Sequence, residues 1–252
     1  MAEQPVKQGV YLYAITPGAE ERSFGLTGLN GGQVYSIGNG RVAAVVSNVP
    51  NTRLRPERRH LAAQQNVLKG LLQQVPALLP MSFGIIASGP KAIKRILSQN
   101  QEAFLQQLQR VAGMVEMGLR VIWDVPNIFE YFVNTHEELR VARDRLLRPA
   151  RNPSQEDQLA VGRLFDRLLQ EDREAHRQQV QEVMSHSCRE FKANPCRQEH
   201  EVMNLACLVP CQAQAEFEQE VFEAAKLFDN HFAFDYNGPW APHNFVDLEL
   251  KL

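Results

Sequence analysis

Residues 234–245, FDYNGPWAPHNF, restrict the fold more than any other stretch of this chain. Phe234, Tyr236, Trp240 and Phe245 surround Asn237-Gly238-Pro239, and a second proline follows at Pro242. Proline presets φ and removes an amide donor, while glycine admits φ > 0. The segment therefore predicts a strand that enters a stiff, aromatic-lined turn and a second strand that leaves it. Aromatics beside such a turn cap a hydrophobic core. Tyr236 and Trp240 on rigid backbone are also suitable anchors for a partner. Trp240 is expected to serve stability first, as a buried plug over a sheet, and recognition second.

The rest of the chain reads as α+β. Residues 10–15 (VYLYAI) are β-branched and aromatic and stop at Pro17-Gly18, which predicts a strand. Residues 25–32 are glycine-rich without GK[ST] or a GxGxxG in a strand-to-helix setting, so a surface loop is expected rather than a phosphate cradle. Two apolar runs, 34–37 and 42–46, flank Gly38-Asn39-Gly40 and predict a hairpin. Pro56 suits the first turn of a helix carrying Leu61, Leu68, Leu71, Leu72 and Val75 and ending at Pro76. Residues 78–86 are extended but broken by Pro80, which suits an edge or a bend. Helical stretches at 91–97 and 101–111 lead to a strand at 118–123. The order β-β-β-α-β-α-α-β predicts an antiparallel sheet with helices on one face.

A second domain is expected from residue 126, giving domains at 1–125 and 126–252; a prior of about one domain per 100–200 residues fits the length. Residues 127–147 are helical with a charged tail, and Pro149 and Pro153 break the chain. Ser154-x-x-Asp157 then reads as a capping box opening a long helix. Its apolar stripe, Val161, Leu164, Phe165, Leu168 and Leu169, fades between Glu171 and Gln179 and resumes at Val180, Val183 and Met184, which predicts a middle that is solvated or spans two contact surfaces. A strand at 204–209, a helix at 216–228 and two strands within 232–250 complete this domain.

Four blocks carry a family resemblance. FDYNGPWAPHNFV, with RPERRHLAAQQNVL at 55–68, LPMSFGII at 79–86 and VEMGLRVIWDV at 115–125, resembles the gas vesicle protein F/L family across nearly the whole chain. The resemblance implies two domains, the first ferredoxin-like and the second a modified ferredoxin-like domain, here with a long helical arm. It also implies a non-enzymatic accessory or minor structural component of the gas vesicle, acting in nucleation and assembly. The expected partners are the small hydrophobic shell protein, whose aggregation it would limit, and other accessory proteins. The expected location is the gas vesicle, and the cytoplasm before assembly. Neither catalytic residues nor a cofactor come with it.

Charge and composition narrow the alternatives. A net charge of −2 with 44% hydrophobic and 22% charged residues is that of a globular protein with no global attraction for nucleic acid or anionic lipid. The start, MAEQPVKQG, lacks the pattern of a signal peptide, and no run approaches the ~18 apolar residues of a membrane span, which predicts a cytoplasmic protein without a lipid-membrane partner. The cysteines Cys188, Cys196, Cys207 and Cys211 are spaced C-x7-C-x10-C-x3-C, which suits reduced thiols better than a zinc ribbon. His200-Glu201-Val202-Met203-Asn204 misses HExxH at its last position, as does the motif starting at His136. An enzyme with an inter-domain pocket built on His231, Asp235 and His243 is the competing reading, but no nucleophile motif accompanies these residues.

The densest basic run, RLRPERRH at 53–60, places cations at a helix start where the dipole disfavours them, with Glu57 as a compensating acid. A ferredoxin-like nucleic-acid binder would need aromatics beside this run and a basic balance overall, and the chain has neither. The candidate partner-binding residues are thus Arg55, Arg58, Arg59, Tyr236 and Trp240.

Overall fold

The computed structural model describes residues 8–18, 21–147 and 154–251. The first sheet contains β1 (Gln8–Pro17), β2 (Ser23–Thr27), β3 (Gln33–Gly38) and β4 (Val42–Pro50). Helix α1 (Arg58–Leu72) follows, then the two-residue strands β5 (Leu79–Pro80) and β6 (Ile86–Ala87). The strand order is β2-β3-β4-β1-β5, with β6 also on β1. The β3-β4 hairpin pairs Ile37 with Ala44 and Gly38 with Ala43, as the Asn-Gly turn requires. Val45 and Val49 share a buried cluster with Tyr11, Tyr13 and Val67, Leu68 and Leu71 of α1. Ala44 and Val46 point the other way by strand alternation and are buried too, so both faces of the sheet are covered at its centre. Helices α2 (Pro90–Gln99) and α3 (Gln101–Arg110) pack on β1, β3 and β4.

Two local expectations change here. The glycine-rich stretch 25–32 is a bulged strand, β2, followed by a 3-10 turn at Leu29–Gly31. Gly25 and Gly31 adopt positive φ, and a Cβ on Gly28 would lie 2.2 Å from the Tyr13 hydroxyl oxygen, so the glycines serve a bulge and a close approach instead of a loose loop. Pro56 lies before the α1 N-cap, Glu57, and the helix ends at Leu72, ahead of Pro76. Leu61, expected on its apolar face, is exposed.

Strand β7 (Met114–Trp123) is a larger correction. It pairs not with the first sheet but in a second one, with the strand order β10-β7-β9-β8. Its sheet partners are β8 (Glu190–Ala193), β9 (Glu201–Pro210) and β10 (Phe232–Trp240), so the pairing is set by contacts distant in sequence. Between them lie α4 (Ile128–Thr135), α5 (Glu137–Leu146), α6 (Gln155–Val183) and α7 (Gln214–Ala225). The stretch 127–147 is thus two helices, parted at His136, whose backbone is extended. The expected break at 148–153 lies outside the described residues. β8 was not anticipated.

The capping box of α6 forms as its sequence indicates: the Asp157 amide donates to Ser154 Oγ at 3.1 Å, and the Ser154 amide donates to Asp157 Oδ2 at 3.0 Å. The middle of α6 is solvated on one side, where Glu171, Glu174, Ala175, Gln178 and Gln179 are exposed, and makes polar and ring contacts on the other. Arg173 donates to the carbonyls of Glu201 (2.8 Å), Gln198 (3.0 Å) and Glu199 (3.0 Å). His176 packs 5.1 Å from the rings of both Phe228 and Phe232. Polar and ring contacts thus replace the aliphatic stripe.

The aromatic stretch is one strand with a 3-10 turn at His243–Phe245, not two strands joined by a turn. β10 runs through Asn237-Gly238-Pro239 to Trp240, with a cis Gly238-Pro239 bond. As the terminal strand of its sheet it tolerates a residue that cannot donate. Gly238 takes φ +133, and a Cβ there would meet Met117 Sδ at 2.7 Å. Trp240 is 38% exposed, so it is not the buried plug expected; Phe245, fully buried, holds that position.

The described residues divide into two compact units. One holds the chain as far as Met117 together with Leu208–Cys211 and the residues from Gly238 on; the other holds Gly118–Cys207 and Gln212–Asn237.

Candidate functional site

The basic start of α1 is set by the core beneath it. Gln64, buried one turn inside the helix, accepts from the Tyr11 hydroxyl at 2.9 Å and donates to the Met81 carbonyl at 2.9 Å. His60 is buried and its Nδ1 meets the Arg55 carbonyl at 3.0 Å, which folds the approach to the helix back on its first turn. Arg55, Arg58 and Arg59 are left exposed. Glu57 does compensate, through a 2.8 Å contact with Arg59. The first turn contains no other acid, so the positive end of the helix dipole and the arginines reinforce one another. Such an end suits a carboxylate-bearing surface.

A second surface forms where α7 crosses β10. Phe217, Val221 and Ala224 make the buried stripe of α7, and Phe222 lies off it, 56% exposed. Tyr236 of β10 stands between the two phenylalanines, with ring centroids 6.3 Å from Phe217 and 6.4 Å from Phe222. Its hydroxyl donates to Glu218, and this bond to a carboxylate holds the phenol above its ordinary pKa. Phe234 projects to the same face, 5.2 Å from Phe228. Phe222 was missed in the sequence because an apolar residue one position off a helical stripe is indistinguishable there from a stripe residue. Trp240 ends β10, exposed.

The other sequence candidates are placed differently. His231 pairs with Asp229, at 3.1 Å, and its ring lies 5.4 Å from that of Tyr131. Asp235 is an exposed β10 residue. His243 opens the 3-10 turn and is exposed. No hydrogen bond or ion pair among the described residues joins His231, Asp235 and His243. The cysteines are thiols: Cys188 and Cys207 are buried, Cys196 is half-buried and Cys211 is exposed. Among the described residues no three His, Cys, Asp or Glu side chains are grouped to hold a metal ion, and no helix is long and apolar enough to cross a membrane.

The family model described as "Gas vesicle synthesis protein GvpL/GvpF" matches residues 9–247, nearly the full chain. The chain belongs to the GvpL/GvpF family. A relative named gas vesicle protein F, from Dolichospermum flosaquae, is 25% identical over 247 residues, covering 95% of this chain and 98% of the relative. The crystal structure of the gas vesicle protein GvpF from Anabaena sp. PCC7120 superposes with a TM-score of 0.84 at 24% identity, covering 96% of this chain and 99% of that one. That of GvpF from Microcystis aeruginosa gives 0.82 at 21%, covering 95% and 99%. Identity this low with TM-scores this high shows that the two-sheet α+β fold is shared. Within the GvpL/GvpF fold, the surfaces at the start of α1 and at α7-β10 are the exposed features described above.

Proposed function

We propose that this GvpL/GvpF protein is a non-enzymatic component of the gas vesicle that acts in nucleation and assembly by binding the small hydrophobic shell protein and limiting its aggregation. The family match over residues 9–247 carries this reading. Supporting it are the exposed Phe222 and Trp240 with the half-buried Tyr236, groups of the kind a partner covers, and exposed cations at Arg55, Arg58 and Arg59. The protein would reside in the cytoplasm before assembly and on the gas vesicle after it, in contact with shell and accessory proteins. Flotation of intact vesicles followed by blotting tests this. The protein is expected in the floating fraction or in a captured complex with shell protein during assembly. Recovery entirely in the subnatant, with no such complex, overturns the proposal.

A further inference from the structure

Three features meet on the outer side of β10. The strand is terminal in its sheet, and no described strand pairs with its outer edge. An edge of this kind presents main-chain donors and acceptors that can template a further strand. Beside it, on the face where Phe234 and Tyr236 project, Phe222 is 56% exposed with its ring 6.4 Å from that of Tyr236. A strand added to the edge would set its own side chains on that face against Phe222 and Tyr236.

The charge around this edge is one-sided. Residues 212–237 hold six carboxylates, among them Glu218, Glu223 and Asp235, against a single lysine, Lys226. Glu220 is held by Ser187, Asp229 pairs with His231 and Glu223 with Lys226, so the carboxylates at β10 itself are Asp235 and Glu218, which accepts from the Tyr236 hydroxyl. The exposed ring of Phe222, with the half-buried Tyr236 beside it among carboxylates, suits lysine and arginine side chains through ion pairing and through the ring face. Asp235 projects to the opposite face from Tyr236, so negative charge flanks the edge on both sides.

We propose that the outer edge of β10 takes up an extended segment of a partner protein by main-chain strand pairing, and that the segment is apolar along one face and carries lysine or arginine beside it. Phe222 and Tyr236 are the apolar anchors, and the carboxylates select against acidic segments. The inference deepens the gas vesicle reading and rests on it only for which protein supplies the segment.

A fluorescent peptide of alternating valine and threonine with lysines at both ends provides the test, alongside its counterpart with glutamates, each titrated against the full chain by anisotropy. The lysine peptide is expected to bind and the glutamate peptide not. Phe222→Ser, at an exposed site, should weaken binding about tenfold with an unchanged melting temperature. Glu223→Lys should narrow the preference between the two peptides. Hydrogen exchange on the bound complex should show new protection at amides within residues 233–236, which adsorption through side chains alone would not give. The proposal is overturned if neither peptide binds, if both bind equally, if Phe222→Ser binds like wild type, or if no β10 amide gains protection. Flotation of the unaltered protein judges the gas vesicle reading separately, so failure of one is distinguishable from failure of the other.

Discussion

Tyr11 and Gln64, one on the central strand β1 and the other on α1, are joined by a 2.9 Å hydrogen bond inside the first core. The same hydroxyl accepts from the Gly84 amide at 3.1 Å, so one phenol ties the strand, the helix and the loop before β6. Tyr13 does likewise with Ser47 (2.8 Å) and the Leu29 amide (2.7 Å). Tyr11 therefore fixes α1, and with it the exposed arginines at its start, while Tyr13 ties β1 to β4 and to the 3-10 turn.

Removing the Tyr11 hydroxyl should be costly because it leaves buried polar groups without a partner. Tyr11→Phe is expected to lose about 1–3 kcal/mol in denaturant unfolding. The pH dependence follows from the phenol, whose pKa is pushed up to about 12, first by burial and against the Gly84 hydrogen bond. A raised folded pKa gives stability that is full below the ordinary value of 10.0 and lost as pH rises through about 12. Wild type should weaken over that window by roughly 2–3 kcal/mol. Tyr11→Phe should weaken less steeply there.

His176 predicts the opposite, acid-side behaviour. Burial among Phe228, Phe232 and Trp123 lowers its pKa, against the raising effect of Asp172 and Asp229. A depressed folded pKa means stability that is full above the ordinary value of 6.5 and lost as pH falls through the folded value. Melting temperatures measured across this range should fall on acidification, and His176→Phe should flatten the curve. An unchanged slope in that variant would assign the acid sensitivity elsewhere.

Phe245 and Trp240 should separate stability from exposure. Phe245 is fully buried, so Phe245→Ala is expected to cost about 3–5 kcal/mol. Trp240 is 38% exposed, so Trp240→Ala should cost no more than about 2 kcal/mol. Paired thermal melts check the ranking, and a larger loss for Trp240→Ala would contradict it.

The arginines at the start of α1 should matter for assembly and not for folding. The ion pair of Arg59 with Glu57 is exposed on both sides, and such pairs contribute about 0–1 kcal/mol. Arg55→Glu, Arg58→Glu and Arg59→Glu combined should keep the melting temperature or raise it slightly, since acids suit a helix start. Vesicle yield in complemented cells should drop if this surface meets an acidic partner, and normal yield would remove it from the list of contact surfaces.

Zinc content offers a further check. The irregular cysteine spacing and the separate environments of Cys188, Cys207 and Cys211 lead us to expect no stoichiometric zinc by elemental analysis. Metal bound one-to-one and resistant to mild chelation would refute this.

Features that depend on neighbours in sequence were legible from the start. The β3-β4 hairpin follows from Asn39-Gly40 between apolar runs, the α6 start from Ser154 and Asp157, and the family from four ordered blocks. The hairpin and the helix start are each specified within a few residues, by backbone φ preference or by a side chain reaching its own helix turn. Tertiary structure decided what depends on distant partners. Pairing in the second sheet drew β7 away from the strands preceding it and carried β10 straight through a sequence that reads as a turn, because at a sheet edge Pro239 forfeits no hydrogen bond. Burial was likewise a tertiary property. Phe222 and Phe217 have the same side chain on one helix, yet only Phe217 is turned toward a neighbouring element that removes it from water.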